Sequence, residues 1–271
     1  RATAPFHGHA GFHVWAAYSY SPGAEWGRLV AEYLEAKKDR TTLQTFVNTV
    51  LGETWEEAGE TVDNSLLAQR AEDYSAAMIP AGVLCVTAGV DVQDDRLAVE
   101  VVGWGAGRES WSLLWEEWYG DPAKTELWER LDALLGQSFP CRLGPPLAVA
   151  AMCIDSGGHF TQKVYDYCKP RITRRVFAIK GRDGAGRPIA THPNRSGSAN
   201  NTKLVIVGVD TAKSHLYAWL RLEWPQNATA MPGYCHFPTG HPSEYYTQLT
   251  AEVCRLKYLR GFAHRVWELP N

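Results

Sequence analysis

Three apolar, β-rich runs lie between residues 83 and 118: Val83–Val92, Leu97–Gly103 and Glu109–Trp118. Gln93-Asp94-Asp95-Arg96 and Gly105-Ala106-Gly107 separate them as turns, so the pattern predicts an antiparallel three-stranded meander. Pro122 then opens a helix at a first-turn position that proline favours, with Leu127, Trp128, Leu131, Leu134 and Leu135 on its apolar face. Residues 147–154 are apolar without interruption, as in a strand buried on both faces. A helix over 161–168, a short strand over 176–179, a strand over 204–209 and a helix over 210–222 follow. A last helix is predicted over 243–256, capped by Ser243 after Pro242. Residues 181–203 are rich in Gly, Pro, Asn, Ser and basic side chains, which predicts a mobile loop.

The first part of the chain is patterned differently. Trp26, Leu29, Val30, Tyr33, Leu34 and Ala36 recur at helical spacing within 24–38, and a second helix over 42–50 is stopped by Gly52. The stretch 53–76 is acidic and poorly periodic, and Ile79-Pro80-Ala81-Gly82 punctuates its end. The expected division is an N-terminal piece over 1–55, an acidic linker over 56–79 and a larger domain over 80–271. Within that domain, three antiparallel strands, a helix, a buried strand, a helix and another strand make a recognised order. It predicts the α/β class: a ribonuclease H-like mixed sheet, antiparallel and parallel, flanked by helices.

Two aspartates stand where such a sheet concentrates chemistry. Asp91 follows the apolar run from Val83 to Val90, and Asp155 follows the run from Leu147 to Ile154. A charged group beside apolar strands is costly unless it is paired or bound to a cation. If the two strands are parallel neighbours, both carboxylates emerge at one edge of the sheet. There they repel, and one is driven towards its protonated form unless a divalent cation neutralises them. An all-oxygen site of this kind suits Mg2+ or Mn2+, and two such ions support phosphodiester hydrolysis. The bland alternative is that each Asp simply ends its strand in a turn. Asp94 and Asp95 read as turn residues of the first hairpin. His159, after Ser156-Gly157-Gly158, is a candidate auxiliary group for DNA contact or proton transfer, with a plain helix-start role as the alternative.

The formal net charge is −3, so no overall basicity points to nucleic acid. The charges are segregated, however. Between residues 53 and 73 the acids face Arg70 alone, whereas between 169 and 203 the bases face Asp183 alone. Arg174, Arg175, Lys180, Arg182 and Arg187 are the candidates for tracking a DNA backbone, against the alternative of a solvated loop. The six cysteines are scattered, which argues for reduced thiols in a cytosol-like compartment. Cys235, His236 and His241 fit no standard zinc spacing. There is no G-x-x-x-x-G-K-[ST] phosphate loop in these residues and no G-x-S-x-G, so neither ATP hydrolysis nor a serine hydrolase is expected of them. No apolar run is long enough to span a bilayer as a helix.

Several phrases carry a resemblance. Residues 11–22 (GFHVWAAYSYSP), 45–55 (TFVNTVLGETW), 89–97 (GVDVQDDRL), 154–159 (IDSGGH) and 266–270 (VWELP) resemble the lambda-like terminase large subunit family, in its order and over essentially the whole chain. The resemblance implies that residues up to about 55 are the tail of a packaging ATPase domain and that a ribonuclease H-like DNA endonuclease starts near Pro80. It matches Asp91 and Asp155 to the family's first two metal-binding acids. It places a third acid in a helix after residues 266–270, past Asn271. Double-stranded DNA, a small recognition subunit, a portal, an oligomeric motor and the host cytoplasm are the partners and setting it implies. A catalytically silent docking module and another ribonuclease H-like enzyme, such as a transposase or resolvase, remain as alternatives.

Overall fold

The structure, a computed structural model, describes residues 14–38, 40–53, 61–184, 186–192, 204–259 and 262–270. The chain divides into two compact units, Arg1–Ala58 and Gly59–Asn271.

In the first unit, α1 (Trp26–Ala36) and α2 (Arg40–Phe46) follow the helical spacing read from the sequence. The second helix widens into a π turn over Val47–Leu51 and ends at Gly52, whose φ of 67° is the left-handed cap that glycine adopts without penalty. Leu29, Ala36 and Phe46 are buried, and the Tyr33 ring packs on Phe46 with centroids 5.6 Å apart.

The second unit opens with α3 (Asn64–Gln69), capped by Asp63, whose Oδ1 accepts from the Ser65 N–H at 2.8 Å. The meander follows as β1 (Cys85–Val92), β2 (Arg96–Trp104) and β3 (Ser110–Tyr119), each pair antiparallel. Next come α4 (Glu126–Gly136), β4 (Ser138–Phe139), β5 (Leu147–Asp155), α5 (Thr161–Cys168) and β6 (Val176–Arg182). The remainder is β7 (Ala190–Thr191), β8 (Leu204–Gly208), α6 (Val209–Leu220), β9 (Cys235–His236), α7 (Ser243–Leu249) and the hairpin β10 (Val253–Leu259) and β11 (Phe262–Glu268). Among the described residues, one mixed sheet runs β7-β8-β6-β5-β1-β2-β3-β9, with β4 beside β5. The β1–β5, β5–β6 and β6–β8 pairs are parallel. The chain therefore has the ribonuclease H-like mixed α/β architecture that its strand order predicts.

One face of the sheet makes the main core. Val86, Ala88 and Val90 of β1, Leu97, Val99 and Val101 of β2, and Met152 and Ile154 of β5 alternate inward and meet Leu131, Leu134 and Leu135 of α4 and Val164 of α5. Burying a Leu, Ile or Val of this kind contributes about 1.5–3 kcal/mol. Over β2 and β3, the other face is covered by a second cluster containing Leu67, Leu220, Phe237, Tyr245 and Tyr246.

Four elements differ from the reading of the sequence. The helix expected from Pro122 starts at Glu126, and the Pro122 carbonyl accepts instead from the buried indole Nε1–H of Trp128 at 2.8 Å. The helix expected over 243–256 stops at Leu249, and residues 253–268 pair as the hairpin. There the Trp267 ring packs on Tyr217 of α6 at 4.6 Å, a contact between distant segments that local periodicity does not contain. Strand β6 runs on to Arg182 because β8 hydrogen-bonds alongside it. Of the expected loop 181–203, residues 190–191 form β7, while 185 and 193–203 lie outside the described residues.

The stretch read as an acidic linker contributes more than connection. His236 stacks on Trp111 at 4.7 Å, and its two ring nitrogens meet Glu72 Oε1 at 2.5 Å and Glu109 Oε1 at 2.9 Å. Residue 72 is thereby tied to the edge of the sheet, and the His236 nitrogens have carboxylates rather than a thiol or a second imidazole for partners.

Candidate active site

Strand β1 delivers Asp91 and strand β5 delivers Asp155. The two strands are parallel, with Gly89 opposite Cys153 and Val90 opposite Ile154. Asp91 and Asp155 are the next residue on each. Since side chains alternate along a strand, partners in register share a face, so the two carboxylates lie on one face as well as at one edge. Val90 and Ile154, one residue earlier, point into the core on the opposite face. That alternation exposes Asp91 and leaves Asp155 half-exposed.

Each carboxylate is held by its own following loop through one oxygen. Gln93 Nε2 donates to Asp91 Oδ2 at 2.9 Å, and the Gly157 N–H donates to Asp155 Oδ1 at 3.2 Å. Asp91 Oδ1 and Asp155 Oδ2 have no hydrogen-bond partner among the described residues.

The loops that follow the two acids are joined to each other. His159 Nδ1 lies 2.8 Å from Asp94 Oδ1, and this carboxylate holds the imidazolium form, raising the His159 pKa above its usual value. Behind the acids, Ser156 anchors the second loop: its Oγ donates to the Ile179 carbonyl of β6 at 2.7 Å. Gln93 and the Gly157 amide are the residues that sequence reasoning missed. Their role depends on where a short loop folds back, and no spacing signal marks it. Asp94, read as a turn residue, does sit in the turn and also meets His159 from 65 positions away.

The basic candidates separate into two groups. Asp155 pairs with Ile179, so Lys180 and Arg182 extend β6 past the end of β5, at the same edge as the acids. Both are exposed, and strand alternation places them on the helix-covered side of that edge. Arg187 follows in the loop after β6, its Nε donating to the Asp183 carbonyl at 2.7 Å. Arg174 and Arg175 instead precede β6, at the opposite edge of the sheet, roughly 20 Å along the strand from Arg182. Arg174 closes the end of α4 by donating to the Leu135 carbonyl at 2.7 Å, and Arg175 makes the left-handed turn (φ 57°) into β6. They are therefore not brought together with Asp91 and Asp155.

Comparison with known proteins identifies the family. The profile for the terminase large subunit gpA, endonuclease domain, matches residues 9–271. The chain belongs to this family. It is 36% identical over 261 residues to the terminase large subunit of Escherichia phage lambda and 35% identical over 261 residues to that of Enterobacteria phage P21. Each match takes in 95% of this chain and 40% of the relative, so this terminase endonuclease domain spans less than half the length of those proteins. Among the described residues, no helix is long and apolar enough to cross a membrane.

Proposed function

We propose that this chain is a metal-dependent DNA endonuclease domain of a viral packaging terminase, hydrolysing phosphodiester bonds of double-stranded concatemeric DNA with two divalent ions, Mg2+ or Mn2+. The observation that carries the reading is the register of β1 and β5, whose last aligned pair, Val90 and Ile154, immediately precedes Asp91 and Asp155, so the two acids follow on one face at one edge. In a chain of an endonuclease family, this pair is the best-supported place for a scissile phosphate to meet carboxylates.

In this reading Asp91 and Asp155 would hold the cations, with Gln93 orienting the first carboxylate and the Gly157 amide the second. A divalent ion bound there would supply an acidified water and neutralise charge on the departing oxygen. Lys180, Arg182 and Arg187 supply positive charge at the same edge for the DNA backbone, and contacts of that type position a duplex without reading its sequence. Site choice then falls to partners, namely a small recognition subunit and a portal within an oligomeric motor in the host cytoplasm. Supercoiled plasmid with Mn2+ tests the proposal. Nicking that disappears in Asp91→Asn and Asp155→Asn supports it, and nicking that persists unchanged in both removes these acids from the chemistry.

One observation favours a second reading, a docking module of the packaging machine without hydrolytic activity. Among the described residues, no group of three His, Cys, Asp or Glu side chains is arranged to hold a metal ion. Calorimetric titration with Mn2+ separates the two readings: the nuclease takes up Mn2+ in a manner that depends on Asp91 and Asp155, and the docking module does not.

A further inference from the structure

Gly89 stands in the middle of β1, paired with Glu100 on one side and Cys153 on the other. Nothing local calls for a glycine there. Its φ is outside the left-handed region, the register shift of the β1–β5 ladder falls between Val86 and Thr87, and no atom lies within 4 Å of the position a Cβ would take. Other strand glycines differ. At Gly103 a Cβ would meet the Val83 side chain at 2.8 Å, so packing excludes one. Glycine weakens a strand interior through its conformational entropy, and where no bulge or bend explains it, it marks close approach by a ligand or another backbone.

What approaches is set by the surroundings. Strand alternation puts Gly89 on the face that bears Asp91, two residues (roughly 7 Å) before it. Glu100, its neighbour on β2, is drawn away towards β3 and α7, its Oε1 accepting from Ser112 Oγ of β3 at 2.9 Å and from Tyr245 Oη of α7 at 2.7 Å. On β5 the neighbour is the small, half-buried Cys153. The face of the two acids thus continues over the exposed Gly89 and the small Cys153 as open floor, with the half-buried Phe177 of β6 next beyond Cys153.

We infer that Gly89 is a steric determinant of substrate access, whose missing side chain lets the sugar-phosphate backbone of a DNA strand lie against the sheet and reach Asp91 and Asp155. The inference rests on the endonuclease reading above. The occupant is a nucleic-acid strand because the floor is continuous with the acid pair, which the endonuclease reading assigns to a scissile phosphate.

The test uses Gly89→Ala and Gly89→Leu in the full chain, with three readouts: thermal melting, Mn2+ calorimetry, and anisotropy of a short fluorescent duplex in Ca2+. Melting and Mn2+ uptake should match the unsubstituted chain, because the new side chain enters open space. Duplex affinity should fall roughly tenfold or more for Leu and less for Ala. Unchanged duplex affinity in Gly89→Leu overturns the inference. So does loss of its Mn2+ uptake, which would place the effect on the acids instead of the strand. If the unsubstituted chain takes up no Mn2+ while the graded loss of duplex affinity persists, the metal-dependent reading fails and the role of Gly89 stands.

Discussion

Gln93 Nε2 and Asp91 Oδ2 are 2.9 Å apart, so the first acid of the pair is oriented by the residue two places after it. Groups that orient a metal-binding carboxylate typically contribute 10–100-fold to metal affinity or activity. Gln93→Leu should therefore weaken Mn2+ binding by about that factor with little change in melting temperature, since the bond is exposed. Calorimetry against an unchanged melting curve checks it, and unaltered affinity would show that Asp91 needs no such support.

The contact between His159 and Asp94 carries a definite pH signature. Asp94 raises the His159 pKa above 6.5, first through the hydrogen bond and then through its charge. The interaction is complete below 6.5 and is lost as pH rises through the raised value. Asp94→Asn should lower the His159 titration midpoint towards 6.5 in an NMR titration. Both side chains are largely solvated, so the melting temperature should stay where it was. A midpoint unmoved by the substitution would mean the two loops are not joined in solution.

Asp132 of α4 accepts from Arg171 Nε at 2.7 Å and from Nη2 at 2.6 Å, a two-pronged pair that ties the helix to the turn before β6. These bonds, and then that of Tyr167, hold the Asp132 carboxyl below its usual range. Its contribution is present above the ordinary carboxylate pKa and disappears as pH falls through the depressed one. Because the pair is partly solvated, Asp132→Asn should cost about 1 kcal/mol at neutral pH, less towards pH 3. Denaturant melts at the two pH values measure the difference.

His241 is held by burial in its neutral form, its pKa pushed down to about 4, with Nε2 at 2.7 Å from Ser112 Oγ. The unfolded chain takes up a proton near 6.5 that the folded one refuses, so stability falls as pH drops from 6.5 to 4. His241→Phe keeps a ring beside Tyr245 and should flatten that part of the pH–melting profile. An unaltered slope would assign the acid sensitivity to other groups.

Much of this arrangement is legible along the chain, and the parts that are not share one property. The meander, α4, the central strand β5 and the positions of Asp91 and Asp155 each follow from a run of neighbouring residues whose apolar periodicity or abrupt ending is visible locally. The hairpin over 253–268 escapes the same reading, because its formation involves strand pairing and the packing of Trp267 on Tyr217. Arg174, Arg175, Lys180 and Arg182 look like one basic cluster in sequence. A strand carries each residue about 3.3 Å onward, so β6 moves the two pairs to opposite edges of the sheet.

Composition and periodicity sufficed for the class of fold and for two acids at strand ends, because strand and helix patterns are properties of consecutive residues; the family resemblance rested instead on particular phrases such as residues 45–55 and 154–159. The adjacency of β1 and β5, the register that aligns Val90 with Ile154, the carboxylates around His236 and the open floor at Gly89 arise between segments far apart in the chain. Which strand pairs with which, and by how many residues it is offset, is set by packing the whole core at once. A one-residue slip of β5 would send Asp155 to the opposite face from Asp91.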